Sequence, residues 1–216
     1  MSSFFPNGTI FSIGTTYSAA KAISAISNAN PAVAQSNAHG FATSDIVVLT
    51  SGWPALNGAA VRVAAANAND FALEGVNTLN VQQFAAGQGA GSAREVTDWV
   101  ALSQVTNTTT SGGEQQFNQW QYLEEGTQRQ RPTVKSARSM SITMDYDPSL
   151  PWHAALLAAD QLGTPHVIRA AMPSGRTIYY SMYVAYDGEP SFDINTNQQV
   201  TLSLAFDNPR SRAYAA

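Results

Sequence analysis

The residue types that could do chemistry are few and scattered. Three histidines, His39, His153 and His166, stand apart, without the short His/Cys/Asp/Glu spacings of a metal site. A lone histidine of this kind reads as a surface group or a satisfied core group. Asp145 and Asp147 in "DYDPS" could hold a cation. The simpler reading is a strand end followed by a carboxylate at a helix start, where the helix dipole favours negative charge. "GQGAGS" at 87–92 has the glycines of a phosphate loop but lacks the Lys-Ser/Thr ending, and no helical pattern follows it. No G-x-S-x-G elbow occurs, and no acid pair stands out. The chain has no cysteine, which excludes disulfides, thiolate catalysis and Cys-based zinc. The sequence therefore predicts no catalytic residue, no metal site, no cofactor and no enzyme.

One charged constellation remains. "RQRPTVKSAR" places Arg129, Arg131, Lys135 and Arg138 within ten positions, directly after Glu124 and Glu125. A solvated loop is the plain reading. The functional reading is a complementary surface, the basic segment of one subunit meeting an acidic segment of the next. A nucleic-acid patch fits least, because the run contains no aromatic residue to stack on bases.

The elements around these residues are mostly strands. Residues 1–20 read as an arm with one short strand at 9–13. "KAISAISNANPAV" fits either a helix or a strand, ended by Pro31. "IVVLT", the Asn57-Gly58 pair and "AAVRVAA" read as a hairpin with a two-residue turn, and "DFAL" follows a turn at 67–69. Residues 82–93 read as a flexible loop. "EVTDWVALSQV" and "QQFNQWQYLEE" flank "TNTTTSGG" and suggest a long hairpin whose tip, 106–113, has nothing apolar to pack. Met140, Ile142, Met144 and Tyr146 alternate with polar neighbours. So do Ile178, Tyr180, Met182, Val184 and Tyr186, and again Val200, Leu202, Leu204 and Phe206, as in half-buried antiparallel strands. One segment breaks the period. Residues 151–162 read as a helix, with Ser149 as cap, Pro151 in the first turn, Trp152, Leu156 and Ala159 on one face, and Gly163 as stop. The four tryptophans read as core.

Composition narrows the class further. The chain has 216 residues, enough for one sizeable core. Only 12% are charged, against about a quarter in typical soluble domains, so Ser, Thr, Asn and Gln must supply the polar surface. That fits a protein whose surface is largely covered by neighbours, because charge is depleted in interface cores, or an extracellular-type β protein. A net charge of −4 excludes a general nucleic-acid binder. "MSSFFPNGTIFSIG" lacks the pattern of a signal peptide, and no apolar run reaches membrane-spanning length, so a cytoplasmic origin and no membrane anchor are expected.

The order of motifs carries a resemblance. The run "KAISAISNANPAVAQSNAHGFATSDIVVLTSGWPALNGAAVRVAAANANDFALEGVNT", then "QWQYLEEGTQRQRPTVKSARSMSITMDYDPS", a helix and "IRAAMPSGRTIYYSMYV", resembles the tail tube (major tail) proteins of long non-contractile bacteriophage tails over roughly residues 20–206. The motifs are short and structural, so the specificity lies in their order. The resemblance implies a mainly β chain: a sandwich or barrel of antiparallel strands, one flanking helix near 151–162, and extended loop and terminal arms. It implies a single tube domain over 1–216, with an arm at 1–20, a core at 21–206 and a tail at 207–216. It also implies a late virion protein of the tail, assembled in the host cytoplasm as hexameric rings stacked into a tube. Tape measure, tail tip and tail terminator proteins would be its partners, and genomic DNA would pass through the lumen without specific binding. Candidate contacts between subunits or rings are Phe4, Phe5, Thr108, Thr109, Thr110, Gly112, Arg129, Arg131, Arg210 and Arg212. Candidate lumen residues are Glu114, Glu124 and Glu125, because a negative wall repels phosphate. The alternative is a related tail component, a fibre, baseplate or adhesin-type domain, that binds a host glycan.

Overall fold

The computed structural model describes residues 7–192, 194, 197–208 and 210–215. Sixteen strands and one helix are described. The strands are β1 (Ile10–Tyr17), β2 (Lys21–Ile23), β3 (Ala25–Ile26), β4 (Ala32–Gln35), β5 (Ile46–Ser51), β6 (Ala60–Ala66), β7 (Asp70–Leu73), β8 (Gly91–Leu102), β9 (Val105–Ser111), β10 (Gln115–Trp120), β11 (Arg129–Lys135) and β12 (Ser139–Asp145). After the helix α1 (Pro151–Leu162) come β13 (His166–Ala171), β14 (Thr177–Ala185), β15 (Gln199–Phe206) and β16 (Arg212–Tyr214). Fourteen strands join one antiparallel sheet in the order β3-β4-β7-β6-β5-β8-β1-β13-β14-β15-β12-β9, with β2 on β8 and β16 on β14. β10 and β11 pair only with each other. The expected class, mainly β with antiparallel strands and one helix at 151–162, is what the chain adopts.

The sheet closes over two main cores. In the first, the inward residues of β5 to β7 (Val47, Leu49, Val61, Val63, Phe71, Leu73) are fully buried. Trp53 meets Phe84 edge-on at 5.2 Å, and its indole N–H donates to the Ala85 carbonyl at 2.8 Å. The second lies between α1 and the alternating strands β12, β14 and β15. Trp152, Leu156 and Ala159 pack there with Ile142, Met144, Met182 and Leu202. β8 and β1 bridge the halves, because β8 pairs with both β5 and β1 while β1 continues to β13. On the reverse face Ile46, Ala60, Val96 and Val167 form a small third cluster.

Several local expectations are corrected by packing. Residues 10–17 are no arm: Ile13 is fully buried, and β1 has a strand on each side. The ambiguous 21–33 segment forms short strands with Ile23 and Ile26 buried. Asn57-Gly58 does not make a two-residue turn. Residues 52–59 connect β5 to β6, and Gly58, at φ 69, donates its N–H to the Leu49 carbonyl at 2.8 Å. The 82–93 segment is pinned by buried Phe84, and from Gly91 it is already strand. The long hairpin expected between 95–105 and 115–125 does not form. β8 is taken by β1 and β5, and 105–111 is itself a strand on β12. Threonine-rich segments favour extended backbone, and β12 offers them a partner edge. Ser149 does not cap α1; its hydroxyl donates to Asp147 at 2.6 Å, and Leu150 occupies the cap position. Gly163 ends the helix in the left-handed region as expected. Trp53 and Trp152 are core, whereas Trp99 and Trp120 are only half-buried.

Candidate assembly interface

The residues that looked capable of chemistry serve the fold. His39 is buried beside Phe41 and Phe71, and its Nδ1 accepts the Phe41 N–H at 2.9 Å. His166 Nδ1 lies 3.0 Å from the Gly14 carbonyl, and His153 Nδ1 lies 2.8 Å from the Tyr186 hydroxyl. Burial pushes the Tyr186 phenol up to about 12, so it stays protonated as a neutral partner. The hydroxyl and N–H of Ser149 hold the Asp147 carboxyl below the usual aspartate range. Among the described residues no group of three His, Cys, Asp or Glu could hold a metal ion. Of the glycines at 87–92, Gly87 takes a positive φ of 77°, whereas Gly89 and Gly91 serve close packing: a side chain on Gly91 would run into the backbone of Thr50.

Among the described residues, the β10–β11 hairpin is almost without cover. β11 is exposed along its whole length, and in β10 only the ends, Gln115 and Trp120, are half-buried. Phe117 sits across from Pro132, with Val134 beyond it; these apolar residues are 51% (Phe117) and 68% (Val134) exposed. At the tip Tyr122 and Leu123 stand in solvent. Asn118 faces Arg131, and Trp120 faces Arg129. Glu125 binds the Arg129 guanidinium twice, one bond being Nε to Oε2 at 2.8 Å. The root is fastened instead by backbone. Ser136 N–H donates to the Glu114 carbonyl at 2.9 Å, and Glu114 N–H donates to the Ser136 hydroxyl at 3.0 Å. Gly112 and Gly113 turn the chain into the hairpin with φ of 78° and 83°. A side chain on Gly112 would collide with the Ala137 carbonyl, so only glycine fits this crossing.

The sequence candidates therefore divide by location. Thr108, Thr109 and Thr110 lie exposed on β9, the strand that ends the sheet. Gly112 is at the hairpin root, Arg129 and Arg131 are on its second strand, Glu114 is at its base, and Glu124 and Glu125 are at its tip. Arg210 is exposed, but Arg212 is half-buried in β16, where burial lowers its guanidinium from its ordinary value. The tail is thus docked in this chain, not extended. Tyr214 is buried, and Arg62 donates from its backbone N–H to the Tyr214 hydroxyl at 3.1 Å and from Nη1 to the Ala215 carbonyl at 2.6 Å. Phe4 and Phe5 lie outside the described residues. The sequence reading missed that residues 115–135 form an exposed hairpin of their own. The usable signal was the Gly-Gly pair, followed by two runs with no alternating apolar face.

Comparison with known proteins now decides the class. The family profile described as phage tail tube protein, TTP, matches residues 51–215. The chain belongs to the phage tail tube protein family. It is a structural component of the phage tail, and no described helix is long and apolar enough to cross a membrane. No curated protein matches its sequence. Among solved structures it is similar to the anti-feeding prophage cap (AFP tube terminating cap), determined by cryo-EM. The identity is 18% and the TM-score 0.36, over 50% of this chain and 79% of that one, a likeness too weak to assign anything by itself.

Proposed function

We propose that this tail tube family member self-assembles into stacked hexameric rings that conduct DNA into the host cell. The observation that carries the reading, beside the family itself, is the uncovered β10–β11 hairpin. A two-stranded hairpin is marginal in water without a surface to pack on, and this one exposes Phe117 and Val134. Burial against a neighbouring ring supplies that surface, with Arg129, Arg131 and Lys135 offering complementary charge. Within a ring, β9, the last strand of the sheet among the described residues, supports sheet-to-sheet joining. It is seven residues long and carries no Lys or Pro, and its only irregularity is a register shift against β12 between Thr143 and Met144. The low charge of the chain fits surfaces that end up covered. Assembly in the host cytoplasm, and contact with tape measure, tail tip and terminator proteins, belong to the same reading.

Negative-stain microscopy of the purified protein at high concentration tests it. Rings or hollow tubes are the expected result. Persistent monomers that bind a sugar instead would overturn it in favour of an adhesin-type tail component.

A further inference from the structure

The outward side of four neighbouring strands has an unusual composition. In β9, β12, β15 and β14 the register aligns Thr109, Ser141, Ser203 and Ala185 in one row across the sheet. The next row is Ser111, Ser139, Ala205 and Tyr183. Ser111 and Ser139 share a hydrogen bond of 2.8 Å across the strands. None of the residues that point this way from these strands is Lys or Arg. The other side of the same strands is the packed core of Met140, Ile142, Met144, Leu202 and Leu204, so the face is a stiff plate of neutral groups, mostly small, with Tyr183 as the exposed aromatic. Its one charged member is Asp145, at the far end, where Gln199 donates to it at 3.3 Å. Nearby, an open hollow of about 660 Å³ joins Thr143, Thr201 and Ser203 to Asp160, Asp187 and Glu189.

We propose that this hydroxyl face is the wall that the channel presents to its cargo, a polyanionic duplex in transit. The proposal rests on the tube reading and says which side of the subunit faces inward. A conduit for phosphate must lack fixed cations, because each Lys or Arg that neutralises a phosphate releases counterions and holds the strand. It must also lack a broad apolar patch. The hydroxyl face meets both conditions, with Tyr183 its lone exposed aromatic, and Asp145 together with the acids of the neighbouring hollow repels phosphate without binding it. The hairpin, with Arg129, Arg131 and Lys135, does not. The face also runs out to β9, where the sheet ends among the described residues, so it can continue into a neighbouring subunit.

The chain's lack of cysteine makes the test direct. Ser203→Cys places one near-isosteric thiol in the middle of the face, where Ser203 is exposed. Assembled tubes are then treated with a small maleimide or with a maleimide coupled to an antibody. The expected result is complete labelling by the small reagent and, except at tube ends, none by the large one. Labelling by both puts the face on the outside, and labelling by neither puts it between subunits; either overturns the proposal. A variant that folds but no longer forms tubes overturns it too. If the unmodified protein forms no tubes at all, the tube reading itself fails before any labelling. As a second measurement, Ser203→Lys tubes should retain short duplex DNA at low salt and release it as salt rises, while unmodified tubes retain none. Equal retention by both would overturn the wall assignment.

Discussion

β11 and β12 are both seven residues long and only three residues apart, yet they meet opposite fates. β12, SMSITMD, alternates strictly and buries Met140, Ile142 and Met144 under α1. β11, RQRPTVK, buries nothing and carries a proline within it. Both are extended, because each finds a strand to pair with. Only β12 has an apolar face at period two, and that face is what joins it to the core. The contrast separates two uses of a strand in one chain. One holds the subunit together, and the other, in the proposed tube, is left for a neighbour to cover.

If that separation is right, removing an apolar side chain should act on opposite properties in the two strands. The largest effect on stability belongs to β12. Ile142 is fully buried between α1 and the neighbouring strands. Ile142→Ala should cost about 2–5 kcal/mol through lost burial and the cavity left behind. Thermal unfolding measured by circular dichroism should show a clear drop in midpoint. An unchanged midpoint would mean that this core is not what holds the sheet.

The contrast also marks what the sequence could reveal. The strands of the second core, the helix with its buried face of Trp152, Leu156 and Ala159, and the Gly163 stop were legible, because a repeating period reports which side is covered. Pairing was not legible. β1 looked like an arm because "IFSIGTTY" gives no clean alternation. It is central because Ile13 packs in one core while Ser12 is buried on the other side and bonded by Arg169. The 105–111 strand looked like a loop tip because it has no apolar face. An edge strand needs none, since β12 supplies its hydrogen bonds. The β10–β11 hairpin was missed for the same reason: polarity identifies exposure, but it does not say whether the exposed backbone is paired. The tail at 207–216 looked free, and only the fold brings Arg62 to Tyr214 and Ala215.

That tail lies between the two extremes, and pH probes it. Arg62 also binds Glu74 through Nε and Nη2 at 2.6 and 2.7 Å. These bonds hold the Glu74 carboxyl below the ordinary glutamate range. The unfolded chain has the ordinary value, so the contribution is complete above that value and fades as pH falls through the lower folded one. The pair is partly solvent-exposed, so its worth is at most about 1 kcal/mol. Glu74→Gln should therefore lower the unfolding midpoint slightly at neutral pH, and the gap should close in acid. A gap that persists in acid would show that the carboxylate charge is not its source.

The smallest effect on stability should accompany the largest on assembly. Val134→Ser, on the uncovered strand, should change stability by no more than about 0.5 kcal/mol, as for other exposed positions. The sharper version removes the hairpin altogether. Glu114 and Ser136 already touch through two hydrogen bonds, so an Asn-Gly turn can join them in place of residues 115–135. No core side chain is lost by the excision, because the cores contain none of these residues. The shortened protein should keep its circular dichroism and unfold at nearly the same temperature, yet form no tubes by electron microscopy. Normal tubes would show that the hairpin joins nothing and that the inter-ring contact lies elsewhere. Failure to fold would show that β10 and β11 support the subunit from within, and the distinction between the two strands would then collapse.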